Sequence, residues 1–495
     1  MKTTVLTRRQ FLKTAAIGTA FFVAGCKSSI QKSTSEQIPG SRPNLVYVFA
    51  DQWRVQATGY AGNADVITPN LDKLAAQSVV FTHAVSNCPV CSPYRASLMT
   101  GQYPLTTGVF LNDVDFEPQG ETIAQVYKQA GYKTAYIGKW HLDGSDRSAF
   151  IPKEKRFGFD YWRAVGCVHN YNNSVYYGDT PEKLKWPGYD AIAQTDDACN
   201  YIREQTKDNP FILFLSWGPP HEPYNTAPEK YQKLFKKKNL KLRLNVPGEF
   251  YDRAQKDLAG YYAHIAALDD CLGKVVKTLK ETGLEDNTIL VFTSDHGDML
   301  FSQGWEKKQR PWDESILIPL VIYYPAILGT EGRKIDMPIN APDMMPTLLG
   351  LSDLPIPDSV EGTDFSAVVK GRQTPPDTVA LIMCPSPFGQ YVRGESHPKF
   401  GPTWAGGKEY RGIRTKRYTY VRDLKGPWLL YDNEKDPYQL DNRANKPQYA
   451  ELQKKLDDIL SQKLKETNDQ FLPGAEYIKK WGYTVDQTGS IPWKW

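Results

Sequence analysis

Asn44-Leu45-Val46-Tyr47-Val48-Phe49-Ala50 carries no charge over seven positions and is followed at once by Asp51-Gln52. A continuous apolar run of this length marks a strand buried on both faces, the kind found inside a parallel sheet. Polar residues at its carboxyl end are then placed where open α/β sheets carry their sites.

The pattern repeats downstream. Strands are predicted at 79–85, 133–138, 211–217, 288–293 and 319–323. Helices are predicted from Pro69 through Ala76, with Thr68 as N-cap, and at 92–100, 121–130, 190–205, 252–282 and 343–349. Strands alternating with helices give an α/β fold, a large mostly parallel sheet sandwiched by helices. After about residue 375 the character changes to short β-like pieces at 379–383, 410–414, 418–422 and 428–431 and a polar helix at 448–465. The expected organisation is a catalytic domain over 42–375 and a smaller C-terminal α+β subdomain over 376–495.

Residues 1–25 read as an address. Thr7-Arg8-Arg9-Gln10-Phe11-Leu12-Lys13 precedes a short apolar stretch and Val23-Ala24-Gly25-Cys26, a twin-arginine signal joined to a lipobox. The stretch is shorter than the ~20 residues that span a bilayer. Cys26 is the expected lipidation site, residues 26–41 a flexible tether, and the location periplasmic or at the cell surface, with the membrane touched only through the lipid. Sixty Lys plus Arg against 56 Asp plus Glu leave a net charge of +4, too balanced for nucleic acid as the main partner. Seven cysteines in 495 residues exclude a disulfide scaffold.

Five strands end in groups with chemistry: Asp51-Gln52, Cys88 to Arg95, Lys139-Trp140-His141, His221, and Asp295-His296-Gly297. Any one could be a satisfied structural residue. Five at equivalent topological positions, holding three of the seven histidines, point to a site. Cys91-Ser92-Pro93-Tyr94-Arg95 followed by Leu98-Met99-Thr100-Gly101 opens a helix, which puts Cys91 by the positive end of a helix dipole. This C-x-P-x-R string resembles that of type I, formylglycine-dependent sulfatases of the alkaline phosphatase-like superfamily. The resemblance extends to Asp51, Gly138 to His141, His221, Asp295-His296-Gly297 and Leu430-Tyr431-Asp432, and covers nearly all of 43–465.

The resemblance implies that a separate formylglycine-generating enzyme oxidises Cys91 to Cα-formylglycine. It implies one divalent cation, Ca²⁺, on Asp51, Gln52, Cys91, Asp295 and His296, and a catalytic set of Cys91, Arg95, Lys139, His141, His221 and Lys308. Gln52 and His296 stand where Asp and Asn are the more familiar residues, and Tyr94 where Ser or Ala is. The physics agrees with such a site. A sulfate ester is an anion, so cationic groups must offset charge on its non-bridging oxygens. Hard oxygen donors suit Ca²⁺. Lys139 and Lys308 act as point charges, Arg95 as a fork for a diol or carboxylate. In the roles the resemblance gives them, His221 would protonate the leaving alkoxide and His141 would take the proton that frees sulfate. Spacing to Trp312 selects Lys308 over Lys307.

Sulfated polysaccharide or oligosaccharide is the expected substrate partner, an algal glycan such as ulvan or carrageenan, or a glycosaminoglycan. Arg163, His169 and Asn172, in or near a Tyr/Asn-rich loop, are expected at the sugar, as are Arg393, His397 and Trp404 in a Gly/Pro-rich stretch. A satisfied surface loop is the alternative for both. The lysine run 230–243, including Lys233, Lys236, Lys237, Lys238 and Lys241, reads as a solvated face or a steering patch. Cys88 reads as structural; Cys167, Cys199, Cys271 and Cys384 are open to disulfide pairing after export. Two rivals remain: a phosphonate or phosphodiester hydrolase of the same superfamily, and a non-enzymatic glycan-binding lipoprotein with Cys91 unmodified.

Overall fold

In the computed structural model of the protein, residues 42–236, 239–389 and 407–494 are described. The expectations placed on Arg8, Arg9, Cys26, Lys237, Lys238, Arg393, His397 and Trp404 lie outside them.

The strands, in chain order, are β1 (Asn44–Asp51), β2 (Val79–Val85), β3 (Lys133–Lys139), β4 (Tyr161–Val165), the two-residue pair β5 (Val175–Tyr176) and β6 (Leu184–Lys185), β7 (Phe211–Pro220), β8 (Thr288–Ser294), β9 (Leu317–Ile318), β10 (Leu320–Tyr323), β11 (Arg333–Asn340), β12 (Ala380–Cys384), β13 (Tyr410–Arg414), β14 (Tyr418–Asp423) and β15 (Gly426–Asp432). The main sheet runs β11-β2-β10-β8-β1-β7-β3-β4, with β9 paired to β2. Its pairings are parallel except those of β9 and β10.

β1 is central, between β7 and β8, and every residue of it is buried. Alternation along the strand assigns the two faces. Leu45, Tyr47 and Phe49 join the core built with Leu98 and Met99 of helix Cys91–Thr100, Val126 of helix Ile123–Gln129 and Leu348 of helix Ala341–Leu351. Val46, Val48 and Ala50 join the core built with Leu71 of helix Pro69–Ala75, Ile202 of helix Asp190–Arg203 and Ile265 and Leu272 of helix Tyr251–Glu281. Burying each such side chain is worth ~1.5–3 kcal/mol, so the strand with two apolar faces takes the centre. The α/β sandwich expected from the sequence is the fold observed. No helix among the described residues is long and apolar enough to cross a membrane.

Some elements escaped the sequence pattern. β11 reads Arg-Lys-Ile-Asp-Met-Pro-Ile-Asn; its charges and Pro338 argue against a strand, and it survives because it lies at the sheet's end, where a missing N–H costs little. β4, which contains Arg163, pairs with β3 at the other end. Strands β12-β13-β14-β15 form a four-stranded antiparallel sheet. Ile382, Val421 and Leu429 of that sheet pack with Val85, Met299 and Ile316 of the larger part, and Leu381 and Leu430 pack with Cys88 and Val90. The described residues accordingly form one compact unit.

Candidate active site

The carboxyl ends of β1, β3, β7 and β8 converge. The Asp295 N–H donates to Ala50 O (3.2 Å) and the His221 N–H to Asp51 O (3.1 Å), so the backbone itself sets these three side chains around one point. Two glycines permit the approach. A Cβ on Gly138 would lie 2.0 Å from Ser216 O, and one on Gly297 would lie 2.0 Å from Glu314 O. Gln52 and His141 sit at positive φ (73° and 58°), held there by the packing around them.

Ligand atoms of Asp51, Cys91, Asp295 and His296 lie within 4.8 Å of one another, all buried. The His296 Nδ1–H donates to Gly297 O (2.9 Å), which leaves Nε2 facing Asp51 Oδ1 (3.4 Å) and Asp295 Oδ1 (3.6 Å). Gln52 donates its amide to Asp298 (2.7 Å) and Glu222 (3.0 Å), while its Oε1 is buried without a partner. Two carboxylates, an orphaned amide oxygen and an imidazole nitrogen fit a hard divalent cation, with His296 the least usual donor for Ca²⁺.

Cys91 begins the helix Cys91–Thr100, all ten residues of which are buried. The sequence placed this start one residue later. Val90 makes no side-chain cap, and Asn112 Oδ1 accepts the Ser92 N–H (3.0 Å) in its place. The Cys91 Sγ lies 3.1 Å from Lys308 Nζ, 3.3 Å from His296 Nε2 and 3.6 Å from Asp51 Oδ1. Burial and Asp51 push its thiol up, but Lys139, Lys308 and His296 outweigh them and hold it well below the ordinary range. The surroundings are therefore built to stabilise negative charge at this position. Asp51 is likewise held low, against burial, by Lys139 foremost, while burial and the charge of Asp51 raise Asp295.

Lys139 pairs with Asp51 at the bottom of the site. Arg95 lies beneath it and does not line the cavity. Its Nη1 donates to Lys139 O (2.7 Å) and Ser216 Oγ (2.8 Å), and its Nη2 to Asp295 Oδ2 (3.0 Å). Of the two partners expected for its fork, the resting site shows the carboxylate. Tyr94 is buried against Tyr47, away from the polar centre. Lys307 pairs with Glu222, whereas Lys308 reaches Cys91.

His221 accepts at Nε2 from Lys308 (3.0 Å) and donates from Nδ1 to Glu222 O (3.0 Å). Burial pulls it down to about 3, so it is neutral at pH 7. His141 is held at Nε2 by Asp113 Oδ1 (3.2 Å), and Arg147 forks the same carboxylate at 2.7 Å through both Nε and Nη2. His169 stacks on His221, ring centres 4.2 Å apart at 13°.

Cys91, Lys139, His141, His169, His221 and Lys308 line one cavity of about 500 Å³. Its wall includes Asn112, Arg147, Arg310, Phe388, Ile491 and Trp493. Two expectations are corrected here: neither Arg163 nor Asn172 lines it. Arg163 lies on β4, with its guanidinium on Tyr161 and Nη1 on Trp162 O (3.3 Å). Asn172 is spent on Thr226 O (2.8 Å). The described lysines of 230–243 stay off the cavity, and Cys88, Cys167, Cys199, Cys271 and Cys384 are buried free thiols. Sequence reasoning missed Asp113, Arg147, Glu222, Asp298 and the C-terminal residues. Glu222 and Asp298 had a signal, as acids adjoining His221 and His296.

A family model described as Sulfatase matches residues 43–354. An ulvan-active sulfatase of Formosa agariphila is 44% identical over 476 residues, covering 95% of this chain and 90% of that protein. An endo-4-O-sulfatase of Bacteroides thetaiotaomicron is 33% identical over 502 residues, covering 90% and 96%. A solved structure from work on the metabolism of multiple glycosaminoglycans by Bacteroides thetaiotaomicron superposes with a TM-score of 0.77 at 30% identity, covering 89% of this chain and 99% of that one. With the strand-end constellation and these matches together, the chain belongs to the sulfatase family of the alkaline phosphatase-like superfamily and is a hydrolase of sulfuric esters.

Proposed function

We propose that this sulfatase removes O-sulfate from a sulfated polysaccharide or its oligosaccharides, ulvan foremost, with the ester bound over Cys91. The observation that carries the reading is the lysine cradle at that position: Lys308 Nζ at 3.1 Å from Sγ, with Lys139 lining the same cavity. The 44% identity to an ulvan-active sulfatase over 95% of the chain supports the substrate class.

Oxidised to Cα-formylglycine by a separate maturing enzyme, position 91 supplies a hydrated aldehyde whose hydroxyl is the nucleophile. Asp51, Gln52, Asp295 and His296 would hold a Ca²⁺ that supplies Lewis-acid charge at the sulfate. Lys139 and Lys308 offset charge on the sulfate oxygens. The leaving alkoxide takes its proton from the Lys308–His221 pair, whose hydrogen bond already joins Nζ to Nε2. His141, oriented by Asp113 at Nε2, accepts the proton that lets sulfate depart. Arg95 keeps Asp295 and the Lys139 backbone in place. The proposal extends to the leader: export through the Arg8-Arg9 signal and a lipid tether at Cys26 bring the enzyme to polymer outside the cytoplasm.

The test is sulfate release from defined ulvan, carrageenan and glycosaminoglycan oligosaccharides. The protein is co-produced with a maturing enzyme, with Cys91→Ala as blank and an aryl phosphodiester in parallel. Release from ulvan fragments, abolished in the blank and accompanied by a loss of about 18 Da at Cys91, is expected. Full release by the blank, or preferred cleavage of the phosphodiester, would falsify the reading.

A further inference from the structure

Six arginines among the described residues are buried: Arg54, Arg95, Arg156, Arg310, Arg411 and Arg414. Five commit their terminal nitrogens. Arg54 donates to the carbonyls of Asp298 and Met299, Arg95 to Asp295, Arg156 to Asp179, Arg411 to Asp469 and Arg414 to Asp313. Arg310 is the exception: it is 7% exposed, and none of its side-chain nitrogens has a hydrogen-bond or ion-pair partner among the described residues. Its side chain lies on the ring of Trp305, 4.1 Å from the centroid. A buried guanidinium without a counter-charge costs several kcal/mol, so an arrangement of this kind calls for an anion that arrives from outside.

Arg310 faces that arrival. It lines the cavity that holds Cys91, two residues beyond Lys308. Its backbone is pinned: the Arg310 N–H donates to Ser315 Oγ (3.3 Å), and the neighbouring Gln309 amide clamps Phe388 by donating to its carbonyl (3.1 Å) and accepting its N–H (3.0 Å). Among the described residues, the acids that share the cavity wall are already taken, Asp113 by Arg147, Glu222 by Lys307 and Glu306 by Arg253. Burial pulls Arg310 down to about 10. The groups opposing that shift, Cys384 and Tyr410, are themselves driven up by burial, Cys384 to about 12. Both are neutral at pH 7, and Arg310 keeps its charge.

We propose that Arg310 anchors a second oxyanion subsite in this cavity, which holds a carboxylate or sulfate on the sugar beside the one whose ester is cut. A guanidinium presents a planar fork that matches either group. The inference rests on the reading of the cavity as a glycan sulfatase site.

Three oligosaccharides test it. All carry the same scissile sulfate; the neighbouring sugar is a uronic acid, its carboxyl-reduced form, or a form with a second sulfate replacing the carboxylate. For the wild type, kcat/KM for at least one anionic form is expected to exceed that of the reduced form by about tenfold or more. Which form is preferred identifies the anion. In Arg310→Met the preference falls to about unity, and Arg310→Lys, which keeps charge without the fork, lies between. Wild-type turnover of all three within about twofold overturns the inference, and so does a preference that survives in Arg310→Met. Calorimetric binding of the same three to wild-type protein decides the point without turnover or variants. If no glycan or aryl sulfate is hydrolysed at all, the preceding proposal fails, while the binding series still judges this one.

Discussion

At and beneath the floor of the cavity, Asp51, Lys139, Asp295, Arg95 and His296 each meet at least two of the others. On the wall, Arg147, Arg310, Phe388 and Trp493 come from stretches far apart in the chain. Floor charges are buried and mutually compensated, so removing one leaves another exposed to the full penalty of desolvation. Wall groups face the cavity, so removing one is expected to change what is bound more than whether chemistry occurs.

The sharpest way to break this contrast is Asp295→Ala. It strips Arg95 of a carboxylate and the cation site of a ligand, so it is expected to lower stability by ~3–5 kcal/mol and turnover by about 10²-fold or more. Denaturant unfolding together with sulfate release measures both. A stable variant with near-normal turnover would erase the distinction between floor and wall.

Asp113→Asn probes the seam. Asp113 holds His141 and is itself forked by Arg147, whose guanidinium lies 4.0 Å from the ring centre of Trp493. The expected result is a fall in kcat of about 10–100-fold with a displaced pH profile and KM within about twofold, since Asp113 acts through the imidazole. A change in KM alone would move Asp113 to the wall.

Trp493→Ala tests the wall itself. Trp493 is 43% exposed, offers an aromatic face, and its neighbour Lys494 is tied by backbone hydrogen bonds to Ser145 and Arg147. KM for a glycan should rise about 3–10-fold with kcat little changed, whereas an aryl sulfate should notice less. Equal effects on both substrates would assign Trp493 to the floor's support.

The smallest effect is one of stability. His264 is fully buried behind the His221 turn, its ring between Tyr189 OH (2.6 Å) and Pro223 O (3.2 Å), and burial lowers it from 6.5 to about 4. The unfolded chain takes up this proton below 6.5 and the folded chain does not. Stability is therefore full above pH 6.5 and declines by up to ~1.4 kcal/mol per pH unit as pH falls toward 4. His264→Phe should flatten that decline in denaturant titrations at pH 4.5 and 7; an unchanged slope would remove His264 as its source.

Much of the floor was legible before any coordinates. Asp51, Cys91, Lys139, His141, His221, Asp295 and His296 each sit at or just after a strand whose apolar run announces itself, and a parallel sheet gathers such ends on one side. The wall was not. Arg163 gave no strand signal because β4 is five residues long and carries a charge in the middle. Gln309-Arg310 sits in a Lys/Gln/Arg string that reads as solvated surface, yet Arg310 is buried under Trp305. Nothing local sends Lys307 to Glu222 and Lys308 to Cys91.

The amino-acid order by itself determined the central strands of the sheet, the helix next to Cys91 and the reaction class, because apolar periodicity and a dense local motif are short-range signals. Only the tertiary structure decided which lysine reaches Cys91, that Arg95 works from below, and that Phe388, Ile491 and Trp493 close the cavity. Those choices depend on long-range packing, in which a side chain's surroundings come from segments that no local pattern connects.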